Sequence, residues 1–277
     1  MKTLLRTIAF ALAFLPLIIG TDPARGQESH RFFNHGRAII DPTPIPGQMP
    51  VSERVILTFS TLDFDLLCGL TGAADPTREI WSCPRREGSW RGKPVTIVGP
   101  AMGAPYAVMV LEMLIALKAR MVLAFGWCGS LHSKVRIGHL VVPTAVISGE
   151  GTSRYYSSGG GMSKPDAQLC DILKARLAGT TATWHQGRHW STDAIYRETV
   201  GLVRHHQQRR TLSVDMEMAA LYAVGKFRGV KVAGLLAVSD ELFTLTWNPG
   251  LDTPEFLQAR ELGAQVVLDT AAAWEGQ

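Results

Sequence analysis

Two acids stand where burial should cost them most. In Ser213-Val-Asp-Met-Glu-Met-Ala-Ala-Leu-Tyr222, Glu217 shares one helical face with Leu221 and Val224 at i, i+4 and i+7. A carboxylate on an apolar stripe is costly unless something polar meets it, either an internal partner such as a backbone amide or an Arg, or a ligand. Asp240 closes the apolar run Leu235-Leu-Ala-Val-Ser-Asp240, behind Ser239. In open α/β sheets ligands bind beyond the carboxyl ends of strands, so Asp240 is placed for chemistry, although a Ser-Asp pair also serves as a cap or turn. A third stretch, Ile97-Val-Gly-Pro-Ala-Met-Gly-Ala-Pro105, runs from a strand through Gly99 and Gly103 into a helix. Glycines there let backbone approach a ligand or a neighbouring strand, and a helix N-terminus favours an electron-rich oxygen.

These residues need a scaffold of alternating strands and helices. Short β-rich runs cover 54–59, 79–83, 94–98, 121–125, 139–142 and 232–238. An apolar helix spans 105–118 with Pro105 in its first turn, a second runs from Asp215 to Arg228 with Gly229 as its stop, and a third follows Pro254. The alternation predicts an α/β fold, a three-layer α/β/α sandwich around a central mixed sheet. Its 277 residues, 46% hydrophobic and 19% charged, suffice for one packed domain and exclude a disordered or fibrous chain.

The N-terminus has a different character. Lys2 and Arg6 precede an apolar run from Ile8 to Ile19, and Ala24 and Gly26 put small residues at −3 and −1 relative to Gln27. Residues 1–26 thus read as a signal-peptide-like segment, too short and Pro-interrupted for a stable membrane span. Residues 27–50 are an extended Pro/Gly-rich lead-in around Asp41-Pro-Thr-Pro-Ile-Pro-Gly47, and the domain runs from 51 to 277. The expected location is exported or periplasmic, or cytoplasmic if translation starts at Met49. The net charge of +4 becomes +2 without residues 1–26, which argues against a nucleic-acid partner. Cys68, Cys83, Cys128 and Cys170 have no metal-like spacing and read as free buried thiols.

In this order, the three stretches join Phe125-Gly-Trp-Cys-Gly-Ser130, Arg136-Ile-Gly-His-Leu-Val-Val142 and Glu150-Gly-Thr-Ser153. The chain resembles the nucleoside phosphorylase and nucleosidase superfamily, with its purine nucleoside phosphorylases, uridine phosphorylases and methylthioadenosine nucleosidases. The resemblance covers about residues 51–274 and is most specific at the Met-Glu helix start and the Ser-Asp strand end. It implies a homo-oligomeric enzyme that breaks the N-glycosidic bond of a nucleoside, a purine nucleoside first, without metal or organic cofactor. By that match Met216 and Glu217 lie beside the ribose, and Asp240 meets the purine N7, next to Ser239. Trp190, in His189-Trp-Ser-Thr-Asp193, packs on the base, and Gly99 to Gly103 line the sugar and acceptor site.

The acceptor end departs from the family pattern. Phosphorylases keep an Arg two residues before the first glycine of the Gly-x-x-Gly loop and a Ser or Thr after it, whereas this chain has Ala124 and Trp127. The early Gly-x-Pro-x-Arg loop is replaced by Ser60-Thr-Leu-Asp-Phe-Asp65. Inorganic phosphate remains a possible co-substrate if Arg78, Arg85, Arg86 or Arg91 reaches it. Asp63 or Asp65 instead fits the nucleosidase pattern, in which an early acid positions water, so water is slightly favoured. The alternative is an exported nucleoside-binding protein of the same fold without turnover.

Overall fold

A computed structural model of the chain describes Gly36 and residues 38–74, 78–157 and 161–276. The signal-peptide-like segment 1–26 lies outside the described residues, and of the lead-in only Gly36 and 38–50 fall within them. Residues 38–50 hold no helix or strand; Val51 joins the packed body through its N–H to Leu117 O (3.0 Å).

The described elements are β1 (Arg54–Thr58), α1 (Thr61–Thr71), β2 (Arg78–Ile80), β3 (Cys83–Trp90), β4 (Lys93–Val98), α2 (Ala104–Ala116), β5 (Met121–Ser130), β6 (Leu140–Gly149), α3 (Ala167–Ala178), β7 (Trp184–Thr192), α4 (Val200–Gln208), β8 (Ser213–Asp215), α5 (Met218–Arg228), β9 (Lys231–Glu241), β10 (Asn248–Pro249) and α6 (Pro254–Ala273). The strands form one mixed sheet in the order β10-β9-β6-β7-β8-β5-β1-β4-β3-β2, and β5 also pairs with β9, closing the middle strands into a ring. β1, β5 and β9 run parallel, so their carboxyl ends lie together.

Alternation along the strands divides the core. Val55, Leu57, Val122 and Ala124 face α2 and α5, while Ile56, Met121, Leu123 and Phe125 face α1, α3 and α6. This is the three-layer α/β/α sandwich expected. The four cysteines are buried and unpaired.

Two readings need correction. The run 79–83 is the tip of a hairpin, not one strand: Ile80 pairs with Cys83 across Trp81 and Ser82, both at positive φ (51° and 63°). That is the two-residue turn whose twist suits a hairpin, made here without the usual Gly or Asn. The second helix starts at Met218, not Asp215, because Ser213–Asp215 pairs with β5 and β7 as β8. Glu217 is therefore the cap residue (φ −129°, ψ −36°), at the start of the helix and not inside it.

Candidate active site

The carboxyl ends of β1, β5 and β9 open into a cavity of about 570 Å³. Its lining includes Asp63, Trp127, Met216, Glu217, Ser239 and Asp240 from the expected set, together with Asp215 and Glu198. Among the described residues that line it there are five carboxylates and neither Lys nor Arg.

Glu217 owes its place to the residue two before it. Asp215 Oδ2 accepts from the N–H groups of Glu217 (3.2 Å) and Met218 (2.9 Å), occupying donors that the first turn of α5 leaves free. Asp215 Oδ1 accepts from Ser191 Oγ (2.5 Å) and lies 2.9 Å from His189 Nε2, while Ser191 Oγ also accepts from Ala219 N (3.0 Å). The turn is thus pinned from β7, and Glu217 is left 4% exposed. Its Oε1 accepts from Gly103 N (2.6 Å) and its Oε2 from Met216 N (3.2 Å). Burial first, and the neighbouring Asp215 second, raise its pKa against these two amides.

Gly103 contributes its amide from a positive φ (87°) at the cap of α2, a conformation that favours glycine. Gly99 serves packing, since a Cβ there would fall 2.1 Å from Thr58 Oγ1, and neither Gly99 nor Gly103 is among the cavity-lining residues, Gly103 acting through its amide on Glu217.

Asp240 is the penultimate residue of β9, with Oδ1 accepting from Ser239 Oγ (2.7 Å) and Oδ2 from Trp247 Nε1 (3.1 Å). Burial raises its pKa against both hydrogen bonds. The direction of that shift is the one a general acid requires.

Asp63 lies in the first turn of α1, where its N–H donates to the cap Ser60 Oγ (3.1 Å) and its Oδ2 accepts from that hydroxyl (3.1 Å). Its Oδ1 accepts from Arg260 Nε on α6 (2.8 Å), in a pair buried on both sides. Burial raises the Asp63 pKa and Arg260 opposes it. Trp127 packs in a T-shaped contact with Phe256 (5.3 Å), and the Arg260 guanidinium lies over the Trp127 ring at 5.6 Å. Ala124 is core, 0% exposed.

Two further expected residues stand elsewhere. Asp65 is exposed on α1 and outside the cavity lining, because the helical turn that buries Asp63 swings a residue two further on to solvent. Trp190 is 3% exposed, outside the lining, and stacked on His206 at 4.2 Å. Period-two alternation in β7 aims Ser191 at Asp215 and Trp190 the opposite way, into a cluster with Val203 and Val214. The cavity's aromatics are Phe59, Trp127, Tyr196 and Trp247. Arg78, Arg85, Arg86 and Arg91 also fall outside the lining; Arg85 is buried with Nη2 on Met49 O (2.7 Å), and Arg91 pairs with Asp269 (2.7 Å).

Sequence reasoning missed Asp215, Glu198, Tyr196, Trp247 and Arg260 as site residues. Only Asp215 carried a local signal, an acid three residues ahead of a helical run, the pattern of a cap. Among the described residues no group of three or more His, Cys, Asp or Glu is arranged to hold a metal ion, and no helix is long and apolar enough to cross a membrane.

The sequence profile of the phosphorylase superfamily matches residues 53–272. A DeoD-type purine nucleoside phosphorylase of Bacillus cereus is 28% identical over 160 residues, 57% of this chain and 68% of that protein. A guanosine phosphorylase of Halorubrum lacusprofundi is 28% identical over 154 residues, 56% of this chain and 64% of that one. Among solved structures, a uridine phosphorylase from Vibrio fischeri superposes with a TM-score of 0.73 at 24% identity, covering 81% of this chain and 93% of that chain. A purine nucleoside phosphorylase from Toxoplasma gondii in complex with immucillin-H gives 0.73 at 17% identity, covering 86% and 98%. The chain belongs to the phosphorylase superfamily and is an enzyme of the nucleoside phosphorylase type.

Proposed function

We propose that this chain cleaves the N-glycosidic bond of a nucleoside, a purine nucleoside by preference, with water in place of phosphate as acceptor. The observation that carries the proposal is the charge of the cavity: five carboxylates line it and, among the described residues, no Lys or Arg does. Phosphate recognition needs convergent donors and preferably a bidentate Arg, and an acid-rich wall repels the anion. Arg260, a cation beside the acceptor end, is engaged by Asp63.

In this reading the C1′–N9 bond breaks and its electron pair leaves with the base. Asp240 transfers its proton to the base N7, so the leaving group departs neutral. Glu217, held by two backbone amides, accepts hydrogen bonds from the ribose hydroxyls and steadies the positive charge growing on the sugar. Water attacks C1′ and passes a proton to Asp63, whose Oδ2 is met by the Ser60 hydroxyl while Arg260 keeps Oδ1. The products are free base and ribose, and solvent restores both carboxyls.

A hydrolytic enzyme also suits an exterior compartment, in keeping with the signal-like residues 1–26. The test is to incubate the protein with a panel of nucleosides, with and without phosphate, and to identify the sugar product. Free ribose in both arms is expected. Ribose 1-phosphate would assign the phosphorolytic reaction, and saturable binding with no product would point to a binding protein.

A further inference from the structure

Glu198 has no part in the chemistry above, yet it lines the cavity. It follows a single 3-10 turn, Ile195–Arg197, and precedes Thr199, the cap of α4. Its backbone is fixed on both sides, by its own N–H on Ile195 O (3.3 Å) and by Thr199 N on Arg197 O (2.8 Å). Its carboxyl is half-buried and, among the described residues, makes no hydrogen bond or ion pair. Every other cavity acid has protein partners: Asp63 has Ser60 and Arg260, Asp215 has Ser191 and two amides, Glu217 has two amides, and Asp240 has Ser239 and Trp247. The charged group facing Glu198 is Asp240, and no lining cation offsets the pair.

An unpartnered carboxyl in such a place is satisfied by a ligand or by a proton. We infer that Glu198 is a base-reading residue that works with Asp240 as an acceptor–donor clamp and selects a 6-aminopurine over a 6-oxopurine. The inference rests on the nucleoside reading above. The purine edge bearing N7 and the 6-substituent shows an acceptor and a donor in adenine, but two acceptors in guanine, and likewise in hypoxanthine. Protonated Asp240 donates to N7. Ionised Glu198 accepts from a 6-amino group, whereas it faces a 6-oxo group as two acceptors in a dry site. Burial first, and an ionised Asp240 second, push the Glu198 pKa up to about 7; with Asp240 protonated in the clamp only burial acts, so the acceptor state fills as pH rises towards that value.

The experiment compares kcat/KM for adenosine, inosine and purine riboside, which lacks a 6-substituent, in the wild type, Glu198→Gln and Glu198→Ala. The wild type should prefer adenosine over inosine by about tenfold or more, since a site built to accept a donor rejects its absence. That preference should grow as pH rises towards about 7 and shrink towards parity in both variants, with its pH dependence abolished. Purine riboside should change by less than about threefold in either variant, as the clamp touches only the 6-position. A ratio unchanged by both substitutions, or purine riboside lost in parallel with adenosine, overturns the clamp and leaves the glycosidic-cleavage reading standing. Failure of the wild type to turn over any of the three overturns both.

Discussion

The two ends of the cavity solve the problem of a buried carboxylate in opposite ways. At the sugar end Glu217 is met by amides from Gly103 and Met216, and its nearest charged neighbour is another acid, Asp215. At the acceptor end Asp63 is met by a full cation, Arg260. Dipoles leave the Glu217 charge uncompensated, so it responds strongly to a positive charge that grows only in the transition state. The Arg260 pair cancels the Asp63 charge and leaves a hydrogen-bonding oxygen that can orient a small neutral molecule. One end is built for electrostatic stabilisation and the other for holding water and taking its proton, and substitutions should separate them.

The largest effect is expected at Glu217. Glu217→Gln should lower kcat/KM by about a thousandfold, roughly 4 kcal/mol of transition-state stabilisation. Thermal stability should hold or rise at neutral pH. Burial raises this carboxyl's pKa, so the folded state gains a proton relative to the unfolded chain. Its contribution is favourable below the unfolded value and is lost as pH rises through the folded one, a loss the neutral amide avoids. A collapse in Tm with turnover preserved would make Glu217 a structural acid. Asp240→Asn comes next, with a loss of about a hundredfold or more on nucleosides with poor leaving groups and less than about tenfold on activated ones. Equal losses on both would assign Asp240 to positioning.

At the acceptor end activity and stability should part company. Asp63→Asn should slow turnover by roughly ten- to a hundredfold, as expected for a lost proton acceptor. Arg260→Met should destabilise the fold by about 3–5 kcal/mol by leaving a buried charge alone, and adding Asp63→Leu should restore much of that stability without activity. Additive destabilisation by the two substitutions in a double-mutant cycle would deny the coupling. The smallest effect belongs to Trp190, which touches the wall from behind: Trp190→Phe should change kcat/KM by less than about threefold. A large rise in KM would return it to the base.

What was legible in the sequence tracks how local its causes are. β1, β4 and α2 are continuous apolar runs whose neighbours in the chain explain them, and the Glu217 and Asp240 motifs sit at the element ends that such runs define. β7 and β8 escaped because they trade apolar alternation for polar pairs across 24 residues, His189 with Ser213 and Ser191 with Asp215. Those bonds are also what place Glu217. The same blindness hid Arg260, whose partner Asp63 lies 197 positions away, and it exchanged Trp190 for Trp247, since strand alternation cannot tell a cavity from a side cluster.

The central claim is that a cavity walled by carboxylates takes a neutral acceptor, and the most direct test is the rate of base release as a function of phosphate concentration, beginning from phosphate-free buffer. Release should persist without phosphate and rise by less than about tenfold, or about 1.4 kcal/mol of barrier, when phosphate is added. A strict requirement for phosphate would contradict the account and show that a cation outside the described lining completes the acceptor site.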